Sequence, residues 1–466
     1  MFLINNNIIE SSIFGCAAVK NPLPPLTGEE LVTLRGTHNG ASAAIGLTEK
    51  LLEKHILMVG STGCGKTRTF LKIVNQLQQR MTADDVMIIF DTKGDYDKKI
   101  RVKGEKLILG NSNTYRNRPE SVRWNLFREI LIDDPCDAPD DAHVVTNTQE
   151  ICRSLFVERE KRTNNPFFPN AARDLLAAII TSVIRTGYQQ DRSFRIQQFN
   201  NKALAELLNT RTQEELDYIL SFDADLTAVR SYLSGSGDQA AGVVSEMNSV
   251  AREVLTGVFA DVGDFSVRNF VREKGCKTLF IEYDLSLGAS LTPIYRLLID
   301  LALKEALGRN EEQEKQKALG NKQTQNEEEK AGNVYLICDE FRLLPFLQHI
   351  DDGVNFGRSL GVKVIAGLQS IEQLFEVYQE SRGRNIAAGF STIFAFHSTD
   401  PSTLHYITKA FGQYEVREEY RLPDNRMDYS RRRGDVISDW DLIHLDVGEA
   451  FICPAFGKPF TFIFDR

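Results

Sequence analysis

Residues 60 to 67, Gly-Ser-Thr-Gly-Cys-Gly-Lys-Thr, satisfy the spacing G-x-x-x-x-G-K-[ST]. Glycines at that spacing let backbone N–H groups wrap phosphate oxygens, the lysine neutralises the β and γ oxygens, and the threonine hydroxyl is offered to Mg2+. The expected nucleotide contacts are Gly60, Ser61, Thr62, Gly63, Cys64, Gly65, Lys66, Thr67 and Arg68, with ATP and Mg2+ as cofactors. Cys64 stands where serine or alanine would suffice; it reads either as steric tolerance or as a thiol activated near a helix start. A second cluster, Asp339-Glu340, ends the apolar run VYLIC. On a strand neighbouring the loop, Asp339 would hold Mg2+ together with Thr67, and Glu340 would polarise the attacking water. Gln369, at the end of VKVIAGLQ, carries an uncharged amide suited to touching the γ-phosphate or its water. Asp91, Lys93 and Asp95 end VMIIFDTKGD and are expected beside the phosphate loop, with solvated turn charges as the alternative. Among the arginines, Arg358 in NFGRSLGV is preferred over Arg382 and Arg384 in ESRGRN as a cation delivered to a neighbouring subunit's site. Each also reads as a charge on a surface helix.

These residues need strands and helices to converge. HILMVG is a short buried-type strand, and KTRTFLKIVNQLQQRM carries Phe70, Ile73, Val74 and Leu77 at helical spacing. VMIIFD follows as a second strand, which makes a βαβ unit with right-handed crossover. Strand patterns resume at KTLFIEYDL and continue, after the helix TPIYRLLIDLALKEAL, through VYLICDEF, VKVIAGLQ and STIFAFHS. Between them the chain is strand-poor, with NAARDLLAAIITSVIRTG and QAAGVVSEMNSVAREVLTGVF as the clearest helices. The expected class is α/β with a mainly parallel sheet. Residues 1–50 form an irregular or small β-rich lead-in, 51–128 and 265–466 the nucleotide-binding domain, and 129–264 an inserted all-α domain. Residues 308–333, almost entirely Glu, Gln, Lys and Asn, are expected to be a solvated, mobile connection or a protruding helical hairpin.

Composition narrows the function. A net charge of -9 excludes a protein that coats nucleic acid by bulk electrostatics, while leaving room for a local basic groove. The one local concentration of arginine, RMDYSRRRGD at 426–435, reads either as a phosphate-backbone contact or as a basic turn balanced by the nearby EVREEY. Seven cysteines without a CxxC pair (Cys16, Cys64, Cys136, Cys152, Cys276, Cys338, Cys453) are expected as free thiols in a reducing compartment. The histidines form no zinc pattern. No run of about 18 apolar residues and no signal-peptide pattern is present, so a soluble intracellular chain is expected.

Taken together, HILMVGSTGCGKT, IIFDTKGDYDKK, RWNLF, NPFFPNAARDLLAAII, VYLICDEFRLLP, GRSLGVKVIAGLQSIEQL and STDPSTLHYITKAFG resemble the type IV coupling protein family, the TraG/TraD group, over about residues 50 to 466. The resemblance implies a RecA-like motor domain holding nucleotide at subunit interfaces, an inserted all-alpha domain, and a homo-hexameric ring that passes DNA. Arg358 is the residue most similar in position to the family's trans-acting arginine. The implied task is to bring relaxase-bound DNA or protein effectors to a secretion channel. Members of that family typically begin with membrane-spanning helices, and none precedes the phosphate loop here. A cytoplasmic chain, held at the inner face of the membrane through a separate anchor protein, is one expectation. A soluble DNA translocase of the HerA/FtsK kind and a nucleotide-switched adaptor for secreted proteins are the alternatives.

Overall fold

A computed structural model describes residues 13–14, 21–92, 94–133, 139–234, 237–284, 286–318, 332–421 and 426–465. Its strands are β1 (Ile13–Phe14), β2 (Glu30–His38), β3 (Ala41–Thr48), β4 (Ile56–Val59), β5 (Val86–Asp91), β6 (Glu105–Leu109), β7 (Lys277–Glu282), β8 (Val334–Cys338), β9 (Val362–Leu368), β10 (Thr392–Phe396), β11 (Gln413–Arg421), β12 (Met427–Asp435), β13 (Glu449–Cys453) and β14 (Phe460–Phe464). The chain divides into two compact units. One comprises Met1–Arg80, Cys338–Arg342 and Lys363–Arg466; the other comprises Met81–Ile337 and Leu343–Val362.

In the first unit the strand order is β3-β2-β14-β13-β10-β4-β9. β4 pairs in parallel with β10 on one edge and with β9 on the other. All four of its side chains, Ile56 to Val59, are buried, which is why HILMV shows no alternation. Both edges of β4 being taken corrects two expectations. β5, which pairs with β7 in the other unit, is not the neighbour of the phosphate-loop strand. Nor is the strand carrying Asp339: β9 occupies that place. The remaining pairs of this unit, β10 with β13 through to β2 with β3, are antiparallel, so the sheet is mixed. The N-terminal segment expected as a lead-in supplies β2 and β3, joined to β14 at Thr37 and Gly36.

Helix Lys66–Arg80 buries Phe70, Ile73, Val74 and Leu77, the stripe its sequence spacing dictates. Helix Pro401–Phe411 packs Ile407 and Phe411 against Ile393, Ile437, Leu442 and Phe451. The basic segment 426–435 lies largely in β12, paired with β11. In backbone register Arg433 stands opposite Glu415, and Arg431 opposite Arg417.

The second unit carries strands in the order β8-β5-β7-β6, with β5, β7 and β6 parallel. Among the described residues from Leu126 to Glu273, regular structure is helical throughout, the longest helices being Asp141–Arg162, Phe167–Gln189 and Gly237–Val254. Phe167–Gln189 is long and apolar enough to cross a membrane by length and composition, yet 67% of its apolar window is buried inside the protein. The helical stretch is tied at its ends by Glu129. That fully buried carboxylate accepts from Trp124 Nε1 (2.9 Å), Ser266 Oγ (2.8 Å) and the Val267 amide (2.6 Å). Burial still pushes Glu129 above the usual carboxylate range. Helix Gly288–Ala318 runs eleven residues into the polar segment expected as a connection; residues 319–331 lie outside the described residues.

Candidate nucleotide site

The phosphate loop follows β4 and is fixed by its neighbours in the first unit. The Gly60 amide donates to the Leu368 carbonyl at the end of β9 (3.2 Å), and the Ser61 amide to the His397 carbonyl beyond β10 (2.7 Å). Gly65 has φ +114°, a conformation L side chains rarely adopt, and a Cβ there would stand 3.1 Å from the Cα of Gly448. Gly448 donates its amide to the Cys64 carbonyl at 2.9 Å. Lys66 is buried, and its Nζ donates to the carbonyls of Gly60 (2.5 Å) and Ser61 (3.1 Å), so its charge sits inside the loop's curve. Thr62, Gly63 and Arg68 are exposed on the rim.

Cys64 is buried, with Sγ 3.8 Å from Lys66 Nζ. Burial raises its thiol pKa, an effect the lysine charge opposes without overcoming. The activated-thiol reading is therefore set aside in favour of steric tolerance. Cys64, Cys152, Cys276, Cys338 and Cys453 are free; Cys16 and Cys136 lie outside the described residues.

The acidic pair comes to the loop in the same unit. Thr67 Oγ1 donates to Asp339 Oδ2 at 2.6 Å. Since β9 intervenes, Asp339 needs room on that strand, and Gly367 provides it. A Cβ on Gly367 would lie 2.2 Å from the Asp339 carbonyl oxygen and 3.1 Å from its Oδ1. Sequence reasoning assigned Gly367 nothing; a glycine inside an otherwise apolar strand was the available signal.

Glu340 is placed by three contacts. Gln369 Nε2 donates to both its carboxylate oxygens (3.1 and 3.0 Å), and Arg342 Nε lies 3.2 Å from Oε1. Its successor Phe341 is buried and stacks on Tyr378 with centroids 6.4 Å apart. Gln369 is fixed in turn through its following residues. Ser370 Oγ donates to Asp400 Oδ2 (2.7 Å), the Thr403 amide donates to the same oxygen (2.8 Å), and the Ile371 amide donates to Thr403 Oγ1 (2.9 Å). Burial would raise Asp400, but these donors hold it below the usual carboxylate value. Asp400 and Pro401 form the N-terminus of helix Pro401–Phe411, a start signal legible in STDPST.

The remaining candidates make other contacts. Arg358 is exposed on the short turn Gly357–Leu360 of the second unit. Arg384 pairs with Glu380 at 2.7 Å and lies over Phe375, and Arg382 lies over Tyr378 at 5.2 Å, so both have local packing roles. Asp91, buried in the second unit, accepts from the Asp97 amide at 3.0 Å, and Asp95 forms a helical ion pair with Lys99 at 3.0 Å. Both work locally there; Lys93 lies outside the described residues. In that loop the sequence missed Asp97, buried and paired with Lys106 and, at 2.7 Å, with Arg118.

The donor set fits Mg2+, a hard cation that keeps several waters and takes one or two protein oxygens beside phosphate oxygens. Thr67 Oγ1 and the Asp339 carboxylate supply that pair. Among the described residues no group of three or more His, Cys, Asp or Glu could hold a metal, so no all-protein cage competes for it.

Likeness to known proteins bears on kinship. The coupling protein TraD of Escherichia coli (strain K12) is 19% identical over 365 residues, covering 76% of this chain; the chain spans 43% of that relative's length. The solved structure of the bacterial conjugative coupling protein TrwBdeltaN70, unbound monoclinic form, superposes with a TM-score of 0.70 at 22% identity, covering 90% of this chain and 87% of that one. The plasmid coupling protein TrwB in complex with ADP and Mg2+ gives 0.67 at 19% identity, over 99% and 94% of the two chains. These likenesses establish the α/β, RecA-like fold. The model of the type IV secretion-system coupling protein DNA-binding domain matches residues 40–427, most of the chain, and on that match the protein belongs to the type IV coupling protein family.

Proposed function

We propose that the chain is an ATP-driven motor that recruits DNA, or DNA–protein (relaxase) substrates, and moves them toward a secretion channel. The observation that carries this reading is the convergence, within one unit, of Thr67 with Asp339 and of Glu340 with Gln369 at the end of the phosphate loop. A loop alone binds phosphate; a loop with a paired hydroxyl and carboxylate, and a second carboxylate held by an amide, can hydrolyse it.

In this reading the backbone of residues 60–68 and Lys66 hold the triphosphate, and Thr67 with Asp339 hold Mg2+. The metal, when bound, neutralises charge on the phosphate oxygens. Glu340 accepts the proton of the attacking water, and Gln369 keeps its carboxylate aimed. Arg358 is assigned to the neighbouring subunit's site in a homo-hexameric ring, since phosphoryl transfer gains greatly from an arginine supplied in trans. DNA, single- or double-stranded, is the partner the family membership favours. The chain acts in the cytoplasm, at the inner face of the membrane through an anchor protein.

The test is ATPase rate with and without DNA at low salt. Stimulation of about tenfold or more by single- or double-stranded DNA is expected of a motor, with loss at high salt because phosphate contacts are screened. Hydrolysis unaffected by DNA, with no DNA binding, would overturn the motor reading and leave a nucleotide-switched adaptor. Co-purification with a relaxase and channel components separates transfer from a HerA/FtsK-like role in repair, segregation or defence.

A further inference from the structure

The turn at 446–449 is built onto the phosphate loop, and it carries an apolar side chain outward. The Gly448 amide donates to the Cys64 carbonyl at 2.9 Å, and its carbonyl accepts from the Phe464 amide at 2.8 Å. The turn is closed on itself by the Glu449 amide on the Asp446 carbonyl (3.0 Å) and the Asp446 amide on Glu449 Oε2 (3.1 Å). Gly448, at φ +88°, makes the bend possible. Its Cα is 3.1 Å from where a Cβ on Gly65 would stand. Consecutive Cα atoms are about 3.8 Å apart, so the Cα of Val447 lies within about 7 Å of that point. Val447 is 69% exposed, and the loop's own Thr62, Gly63 and Arg68 are exposed as well.

A nucleotide whose phosphates lie on the amides of this loop must carry its ribose and base out over the rim, and a fixed, solvent-facing branched side chain one residue from Gly448 is in reach of them. We infer that Val447 is the platform for the nucleobase and ribose of a purine nucleoside triphosphate, on the nucleotide reading given above. Its side chain offers neither donor nor acceptor, and both backbone polar groups of Gly448 are committed to protein partners. The contact is therefore with the face of the base, not its hydrogen-bonding edge. Sites that read a polar edge reject the analogue lacking it by about 10⁴ or more, whereas apolar contacts discriminate weakly. Adenine and guanine nucleotides bind with similar affinity at such a platform.

The experiment is calorimetric titration of the full chain, with Mg2+, by ADP, GDP and inorganic tripolyphosphate. Val447→Ser weakens ADP and GDP about three- to tenfold, the effect of removing one apolar contact, and leaves tripolyphosphate unchanged. Val447→Leu stays within about twofold of wild type for all three ligands, since it keeps apolar volume. Unchanged nucleotide affinity in Val447→Ser, or an equal loss for tripolyphosphate, overturns the inference, as does a preference for one base above about 100-fold that Val447→Ser leaves intact. If the wild type binds none of the three, the nucleotide reading itself fails and the platform falls with it. Nucleotide binding that Lys66→Ala abolishes but Val447→Ser leaves untouched sinks the platform alone.

Discussion

The side-chain amide of Gln369 clasps both carboxylate oxygens of Glu340, at 3.1 and 3.0 Å, so the end of β9 holds the residue that follows Asp339. Glu340→Gln keeps ADP binding within about threefold and lowers ATP turnover by about 100-fold or more, the usual contribution of a general base. Gln369→Ala lowers kcat by about tenfold with a smaller change in KM, because it loosens the base without removing it. Lys66→Ala loses nucleotide binding. Steady-state kinetics beside ADP titration check all three, and wild-type turnover in Glu340→Gln would refute its role.

Gly367 sets the approach of Asp339 to Thr67. Alanine at this position brings a methyl 2.2 Å from the Asp339 carbonyl oxygen, a backbone atom that cannot swing aside. Either β9 or Asp339 must shift, at a cost of about 1–3 kcal/mol by analogy with overpacked cores. Gly367→Ala should lower the melting temperature by several degrees and raise the Mg2+ concentration needed for half-maximal activity. Thermal melts and a Mg2+ titration indistinguishable from wild type would show that Asp339 does not depend on this gap.

Arg358 is exposed on a turn of the second unit, and the proposed function assigns it to a neighbouring subunit's site. Arg358→Ala alone should lower kcat by about 10³-fold, and mixing it with Glu340→Gln protein should restore part of the activity, since some shared interfaces then carry one intact group of each kind. The readout is ATPase rate against mixing ratio. No recovery, in mixtures shown by cross-linking to contain both chains, removes the trans role.

The second unit holds a pH-sensitive contact near the segment that follows Glu340 in sequence. Asp300 is buried, and burial pushes it up to about 6, only partly countered by the His349 amide (3.2 Å), the His349 and Arg296 charges and the Gln348 amide (2.8 Å). Burial would lower His349, but its contact with Glu150 at 3.1 Å and the Asp300 charge raise it instead. Lys304 also pairs with Glu150. A folded-state pKa above the unfolded one contributes stability that is present at low pH and lost as pH rises through the folded value. Asp300 therefore costs stability progressively between about pH 4 and 6, and His349 continues that trend above its ordinary value. Asp300→Asn should flatten the slope between those limits and raise stability at pH 7 by about 3 kcal/mol. Urea unfolding from pH 4 to 8 measures it; an unchanged slope would mean that Asp300 ionises freely in the fold.

Much of the site was legible because its chemistry is local. The glycine spacing of residues 60–67, the Asp-Glu pair ending an apolar run and the Gln at the end of the next strand are each short-range patterns, and the structure brings Thr67 to Asp339 and Gln369 to Glu340. The partners that hold Gln369 in place were not legible. Ser370 and Asp400 are thirty positions apart, and nothing in either stretch names the other.

The amino-acid sequence by itself determined the phosphate loop, the apolar strands and the amphipathic helix Lys66–Arg80, since each follows from side-chain spacing over fewer than about twenty residues. The order of strands was decided only by the fold. Local pattern makes β4 and β5 consecutive, yet β9 and β10 flank β4. Which edges pair depends on which buried faces fit, and a strand buried on both sides carries no mark of its neighbour. That tertiary choice places Gly367 against Asp339, and Gly448 against Gly65 of the phosphate loop.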